Sequence, residues 1–310
     1  MKPKRCSPRF ADGGFTIVEL LLAAGIAVVV LGLALGLVIT NRKVYDLDRA
    51  RTALNQNLRS SLDLIGADVR QAGESLGVDF PAIEIVDRGD ADELVLRRNL
   101  LDEVLPVCMP VSGNQNDVFI NSPGASGHGG PACTKVDGNG NGWDDRHEAW
   151  RSYRCEQDGV PGCQDNSRER VRAFIYDPSS GQGEWFDYVA DDMSQFKIHK
   201  DPSPPWSRSY PQNSRLYLLE ERRYRLVGDV IELVKNGDVQ NPQSLVDRID
   251  KFRVRARMTD GSWKDELGAG DDWTAIASVE IKVTGSVALR GRALERTLEG
   301  KFLPRNVLSY

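Results

Sequence analysis

From Phe15 to Thr40 the chain runs through apolar residues with a single ionisable side chain, Glu19. About 20 consecutive apolar residues are enough to cross a bilayer as a helix. A carboxylate inside such a span costs several kcal/mol unless something neutralises it, which makes Glu19 a candidate functional group. The preceding residues carry Lys2, Lys4, Arg5 and Arg9 against one acid, Asp12, and end in Gly13-Gly14. Basic flanks stay in the cytoplasm, so residues beyond Thr40 are expected to be exported, although Arg42 and Lys43 at the far end weaken the asymmetry. An ordinary secretory signal is cut after its apolar stretch, next to small residues. Here Leu37-Val38-Ile39-Thr40 ends that stretch with bulky or branched side chains. An uncleaved anchor with an incidental glutamate is the plainer alternative.

The order glycine, aromatic residue, glutamate and uncharged span resembles the class III signal of type IV pilins and pseudopilins. The resemblance implies cleavage by a prepilin peptidase between Gly14 and Phe15, methylation of the new amine on Phe15, and Glu19 at the fifth mature position. It also implies that Glu19 pairs with the Phe15 amine of a neighbouring subunit, which would neutralise both groups in lipid and set register in a filament. Residues 1–14 are then a leader, and 15–40 the transmembrane half of a long helix.

The helical pattern continues past the span. Leu47, Leu54, Leu58, Leu62, Ile65, Val69 and Ala72 recur at spacings of three, four or seven, which marks one amphipathic face over residues 41–76. No proline interrupts Phe15 to Glu74, and Gly73 and Gly77 supply stop signals. A helix of about 60 residues would be roughly 90 Å long. The remainder, 77–310, reads as strands. Runs occur at Glu93–Arg97, Val118–Ile120, Arg170–Tyr176, Trp185–Val189, Gln195–His199, Arg215–Leu226, Val230–Val234, Phe252–Met258 and Ala275–Ala288, separated by Gly, Asp, Asn and Pro. Leu226 to Val230 looks like a tight hairpin link. The expected class is α+β, a long N-terminal helix packed on antiparallel sheet.

Several short patches are similar to PilW-like minor pilins and to J-type minor pseudopilins. Asp68-Val69-Arg70-Gln71-Ala72-Gly73 resembles the end of their long helix, and Asp92 to Leu96 the strand after it. Leu245 to Ile249 and Phe252 to Arg255, then Trp273 to Ile276 and Val279 to Ile281, are similar to their closing strands. Phe302 to Asn306 resembles their terminal element. Residues about 106–210 match nothing in that pattern and read as a large, loop-rich insertion.

Inside it, Asp137-Gly-Asn139-Gly-Asn141-Gly142-Trp143-Asp144-Asp145-Arg-His-Glu148 fits the spacing of a calcium loop. Calcium takes six to eight oxygens on a flexible chain. Asp137, Asn139 and Asn141 would give side-chain oxygens, Gly142 the sharp turn, and Trp143 a backbone carbonyl. Asp145 would act directly or through water, and Glu148 would close the site. Asp144 stands where paired loops carry an aliphatic bridge, and no second loop of this type occurs. Residues 127–133 are too rich in Gly and Pro for an entering helix, so an isolated structural loop is expected, with a helical turn near Glu148–Tyr153. A solvated Asn/Gly turn cluster is the alternative.

Of five cysteines, Cys6 belongs to the leader. Cys108, Cys133, Cys155 and Cys163 form an even set on the exported side, which reads as two disulfides. Proximity favours Cys108 with Cys133 and Cys155 with Cys163, with Cys133–Cys155 as the other arrangement around the loop. The lack of a CxxC pair argues against zinc.

The net charge is −5, and removing the leader's four bases and one acid takes it to −8. That argues against direct nucleic-acid binding, and Arg222, Arg223 and Arg225 read as a solvated strand face. His128, His147 and His199 are widely spaced, and no metalloprotease, nucleophile-elbow or phosphate-loop motif is present, so no enzyme is expected. Trp185, Trp206, Trp263 and Trp273 are expected to pack in the core or on strands.

The resemblance implies a minor pilin in the inner membrane with an exported head, later at or near a pilus tip. It would prime or cap type IV pilus assembly for twitching motility, adhesion or DNA uptake. Its partners would be other minor pilins, the major pilin, prepilin peptidase and the inner-membrane assembly platform. A J-type pseudopilin of type II secretion and a pilus-tip adhesin using the insertion are the alternatives.

Overall fold

The computed structural model describes residues 16–121, 131–157, 170–289 and 292–309. Gly14, Phe15 and Cys163, named above, lie outside them. Helix α1 (Ile17–Gln71) matches the expected continuous helix. The chain divides into two units at Ala53/Leu54. In the first, every residue from Thr16 to Asp46 is exposed.

The second unit contains the sheets. In chain order, β1 (Ile83–Val86), β2 (Glu93–Asn99), β3 (Leu105–Pro106) and β4 (Asp117–Phe119) precede helix α2 (Asp145–Glu156). Then follow β5 (Val171–Asp177), β6 (Gln182–Asp192), β7 (Lys197–Lys200), β8 (Arg215–Tyr217), β9 (Leu219–Val227) and β10 (Val230–Lys235). The last are β11 (Gln243–Val246), β12 (Ile249–Met258), β13 (Trp263–Lys264), β14 (Ile276–Leu289) and β15 (Arg292–Phe302). They form sheets ordered β1-β2-β9-β10-β11, β13-β12-β14-β15 and β3-β8-β5-β6-β7-β4, and the strand pairs within them are antiparallel. Bridges at Ile85–Leu267 and Ala91–Phe252 tie the first sheet to the second.

One core joins the α1 face (Leu54, Leu58, Leu62, Ile65, Val69 and Ala72) to the inner residues of the first two sheets, such as Leu94, Tyr224, Phe252, Val254, Ile281 and Val283. Each buried aliphatic side chain contributes about 1.5–3 kcal/mol. The third sheet has its own core around Val107, Ile120, Trp150, Ile175, Phe186, Tyr188, Ile198 and Tyr210. The insertion is therefore more ordered than a loop-rich segment: four strands inside it, β4 to β7, join β3 at its start and β8 just beyond its end in a six-stranded sheet. The run Arg215–Leu226 is also not one strand. It breaks at buried Leu218, where the chain leaves the third sheet as β8 and enters the first as β9. The hairpin at Leu226–Val230 is present: Val227 pairs Val230, and Gly228 takes a φ of 64°.

The end of α1 is held by the patches that looked most specific in the sequence. Asp68 accepts hydrogen bonds from Arg222 Nη1 at 2.6 Å and from the Tyr224 hydroxyl. Asn306 Nδ2 donates to the Gln71 and Ala72 carbonyls at 3.2 and 3.1 Å, satisfying acceptors that a helix end leaves open. Gly73 ends the helix with φ +83°, and a Cβ there would lie 2.4 Å from the Trp273 ring.

Arg222, Arg223 and Arg225 lie on β9 paired with Glu220, Glu221, Glu93 and Glu232, as a strand face would be. Trp206 and Trp273 are buried, Trp185 packs against the core, and Trp263 packs on a strand. It lies on the short edge strand β13, exposed, beside the Arg255 guanidinium at 4.2 Å from its ring centre.

Candidate functional site

Two regions carry the residues singled out in the sequence. At the start of α1, Thr16 Oγ1 accepts from the Glu19 amide at 3.3 Å, while Glu19 Oε2 accepts from the Thr16 amide and hydroxyl at 3.0 Å each. This is a reciprocal capping box, and Thr16-Ile17-Val18-Glu19 carries its sequence signature. The carboxylate thus has a local helix-starting role in addition to any role between subunits. The helix holds an 18-residue window of mean hydropathy 2.8, long and apolar enough to cross a membrane. Gly25, Gly32 and Gly36 fall on one stripe of it, and a Cβ at any of the three would meet nothing within 4 Å.

The second region is the loop from Asp137 to Glu148. Gly140 and Gly142 take φ of 73° and 92°, a conformation that needs glycine, and Gly142 is the position expected to make the turn. Asn139 Nδ2 and Asn141 Nδ2 both reach Glu148, at 3.1 and 2.8 Å, so the third, fifth and twelfth loop positions converge. Asn139 Oδ1 accepts from the Asn141 amide and Asn141 Oδ1 from the Trp143 amide, at 2.9 and 2.8 Å. Asp145 Oδ2 takes the Gly138 amide at 2.7 Å. Among the described residues, the other oxygens of the first and ninth positions, Asp137 Oδ1 and Asp145 Oδ1, are buried with no hydrogen-bond donor. Buried carboxylate oxygens left unpaired are costly, and a hard cation would satisfy them. Asp137, Asp145 and Glu148 offer the hard oxygens a calcium ion would use, while the side-chain oxygens of Asn139 and Asn141 are taken by backbone amides. Among the described residues no cluster of three or more His, Cys, Asp or Glu side chains stands at metal-binding spacing. An ion here would have to draw on amide and carbonyl oxygens as well as the carboxylates.

Lys135 was not foreseen. Its ammonium reaches Asp137 Oδ2 at 2.9 Å and the Gly142 carbonyl at 3.2 Å, on the rim of the loop. That contact, with the Gly142 amide, holds the Asp137 carboxyl below the usual range despite some burial.

The loop is mounted on a rigid base. Asp144 is fully buried and N-caps α2 by accepting from the Arg146 amide at 3.1 Å. It also accepts from Asn121 Nδ2 and the Val136 amide. Burial opposes its ionisation, but the Arg146 guanidinium beside it and the amides of Val136 and Arg146 hold its carboxyl below the ordinary value. Arg146 reaches on to the Ala132 and Thr134 carbonyls. Next to them Cys133 is joined to Cys108, the pairing favoured by proximity, with Cα atoms 5.7 Å apart. Cys155 is disulfide-bonded as well, and the Cys163 half of the expected pair lies outside the described residues. This cap extends the expected helical turn into the full helix Asp145–Glu156. An Asp followed by a second acid before the helix was the readable signal for it.

Helix α2 buries His147, Trp150 and Arg154 at helical spacing. Trp150 Nε1 donates to the Glu103 carbonyl at 2.9 Å, and Arg154 is paired with buried Asp191, which also accepts from the Tyr188 hydroxyl at 3.1 Å. Among the described residues, neither buried ring nitrogen of His147 has a hydrogen-bond partner, and burial pushes its pKa down to about 4 against the pull of Asp191 and Asp144. His199 instead meets Asp117, with Nδ1 and Oδ1 at 2.7 Å.

No family model matches the chain, no curated protein matches it in sequence, and no solved structure matches it in fold.

Proposed function

We propose that the chain is a minor subunit of a type IV pilus, processed after Gly14, anchored by α1 and assembled through Phe15 and Glu19. The observation that carries this reading is a single long helix whose N-terminal stretch is fully exposed and apolar, with Glu19 its one ionisable group up to Thr40. A side-chain set of this kind is stable only in lipid or packed against other helices. The glycine stripe at Gly25, Gly32 and Gly36 would let neighbouring helices approach closely. The head, folded onto the second half of the same helix, would dock onto other minor pilins at or near the fibre tip. Its calcium loop would hold one ion through Asp137, Asn139, Asn141, the Trp143 carbonyl, Asp145 and Glu148. The ion's role is structural: it would satisfy the buried carboxylate oxygens and stiffen the insertion together with the disulfides.

Deleting the gene in its host, with surface fibres and secreted proteins scored side by side, tests the assignment. Lost fibres with normal secretion support the pilus. Normal fibres with a depleted secretome would move the protein to a type II secretion pseudopilus. For the ion, calcium should raise the melting temperature of the full chain, and Asp137→Ala or Glu148→Ala should abolish the rise. An unchanged melting temperature in the parent would refute the site.

A further inference from the structure

Beside the loop lies a groove of about 710 Å³, walled by α2, the end of β6 and the following turn, and β7. That volume falls within the range of small-ligand sites, about 300–1,000 Å³. Two of its wall residues, Trp143 and Glu148, are also the seventh and twelfth positions of the calcium loop. Trp143 is exposed, so it offers an aromatic face rather than a core contact. Arg151 and Ser152 of α2 line the same space. Opposite them stands Asp191, whose side chain is fully buried. Its Oδ1 is taken by Tyr188 and Arg154; among the described residues its Oδ2 accepts no hydrogen bond, and Arg151 Nε lies 3.6 Å from it. His199 completes the lining, its ring oriented by Asp117, so that Nδ1 is committed and Nε2 remains for other contacts.

We infer that this groove is a binding site for a neutral saccharide and that calcium in the adjoining loop orders it. The inference rests on the calcium reading above. A sugar ring presents an apolar C–H face, which suits the Trp143 ring, and hydroxyls that both donate and accept. Asp191 Oδ2 is a fixed acceptor for such a hydroxyl, and Ser152 and His199 serve either role. Three carboxylates, Glu148, Asp191 and Asp192, against the guanidinium groups of Arg151 and Arg154 leave the groove net negative, which disfavours an anionic ligand, and a lining this polar disfavours an apolar one. The ion would fix the Trp143 backbone through its carbonyl and hold Glu148 in place. The aromatic platform is then set only when the loop is loaded.

The test uses the full chain in detergent, passed over immobilised galactose, glucose, mannose and N-acetylglucosamine, with calcium or with EGTA. Calcium-induced thermal stabilisation is recorded on the same preparation. Retention on at least one sugar in calcium and release by EGTA are expected. Ser152→Leu and His199→Leu should each weaken retention about tenfold or more, which is about 1.4 kcal/mol, while keeping the calcium-induced stabilisation, and Trp143→Ala should weaken retention as well. A stabilised protein that no sugar retains overturns the saccharide site and leaves the calcium loop standing. Retention that persists in EGTA overturns the coupling, and retention unchanged in Ser152→Leu and His199→Leu overturns the placement in this groove. Absence of both stabilisation and retention overturns the calcium reading and this inference together.

Discussion

Gly73 bears two requirements at once: a left-handed backbone at the helix end, and a Trp273 ring where a Cβ would stand. Alanine there should destabilise the head by roughly 2–4 kcal/mol, combining backbone strain with overpacking. Urea denaturation of Gly73→Ala checks this, and an unchanged midpoint would contradict the geometry. His147 gives a pH dependence. Its folded pKa, about 4, lies below the ordinary value of 6.5 because the ring is buried neutral. Between those two values the unfolded chain binds a proton that the folded chain refuses. Stability should therefore fall as pH falls from about 6.5 to 4, by up to about 3 kcal/mol, and level off below. Melting curves in EGTA across that range should show the slope, and His147→Leu should flatten it. Residues of this kind were only partly legible. Gly73 and Asp68 drew attention as pattern, while their partners, Trp273, Tyr224 and Asn306, lie far along the chain and become partners only through the sheet.

At the scale of elements, α1 was readable almost to its ends, because a continuous apolar span followed by a leucine stripe has no competing periodicity. The hairpin at Gly228 and most central strands were equally plain. The edge and pairing strands were not: β15 alternates charged residues such as Arg296 and Glu299 with few large apolar ones, and it exists because β14 offers it a partner. The loop before α2 was legible in its ligand spacing, but Lys135 was not, since two residues of separation say nothing of where an ammonium settles. That ammonium competes with any ion for Asp137. Removing it with Lys135→Met should tighten calcium binding about tenfold, in keeping with one unit charge near the site at an effective dielectric constant of about 20. Titration calorimetry of the full chain checks the direction, and weaker binding in the variant would show that Lys135 supports the loop instead.

Taken as a whole molecule, the chain combines an apolar, exposed helical stretch with a head that folds around two separate cores. The Cys108–Cys133 disulfide and the capped α2 brace the second core, and the proposed ion would add to them, while the first core seals the helix end to the sheets. The insertion's sheet was the largest feature the sequence underplayed. Its strands are short, and its closing strand β8 is fused in sequence to β9 of another sheet, so the break at Leu218 is visible only in three dimensions. The central claim is that the first unit is a processed assembly helix. It is tested most directly by shearing surface fibres from the host and measuring the N-terminal mass of this chain in them. The account predicts a chain beginning at N-methylated Phe15 in the fibre fraction, and its absence from fibres in a Glu19→Val strain that still inserts the protein in the membrane. A chain that retains Met1, or that stays in the membrane and never enters fibres, would contradict it.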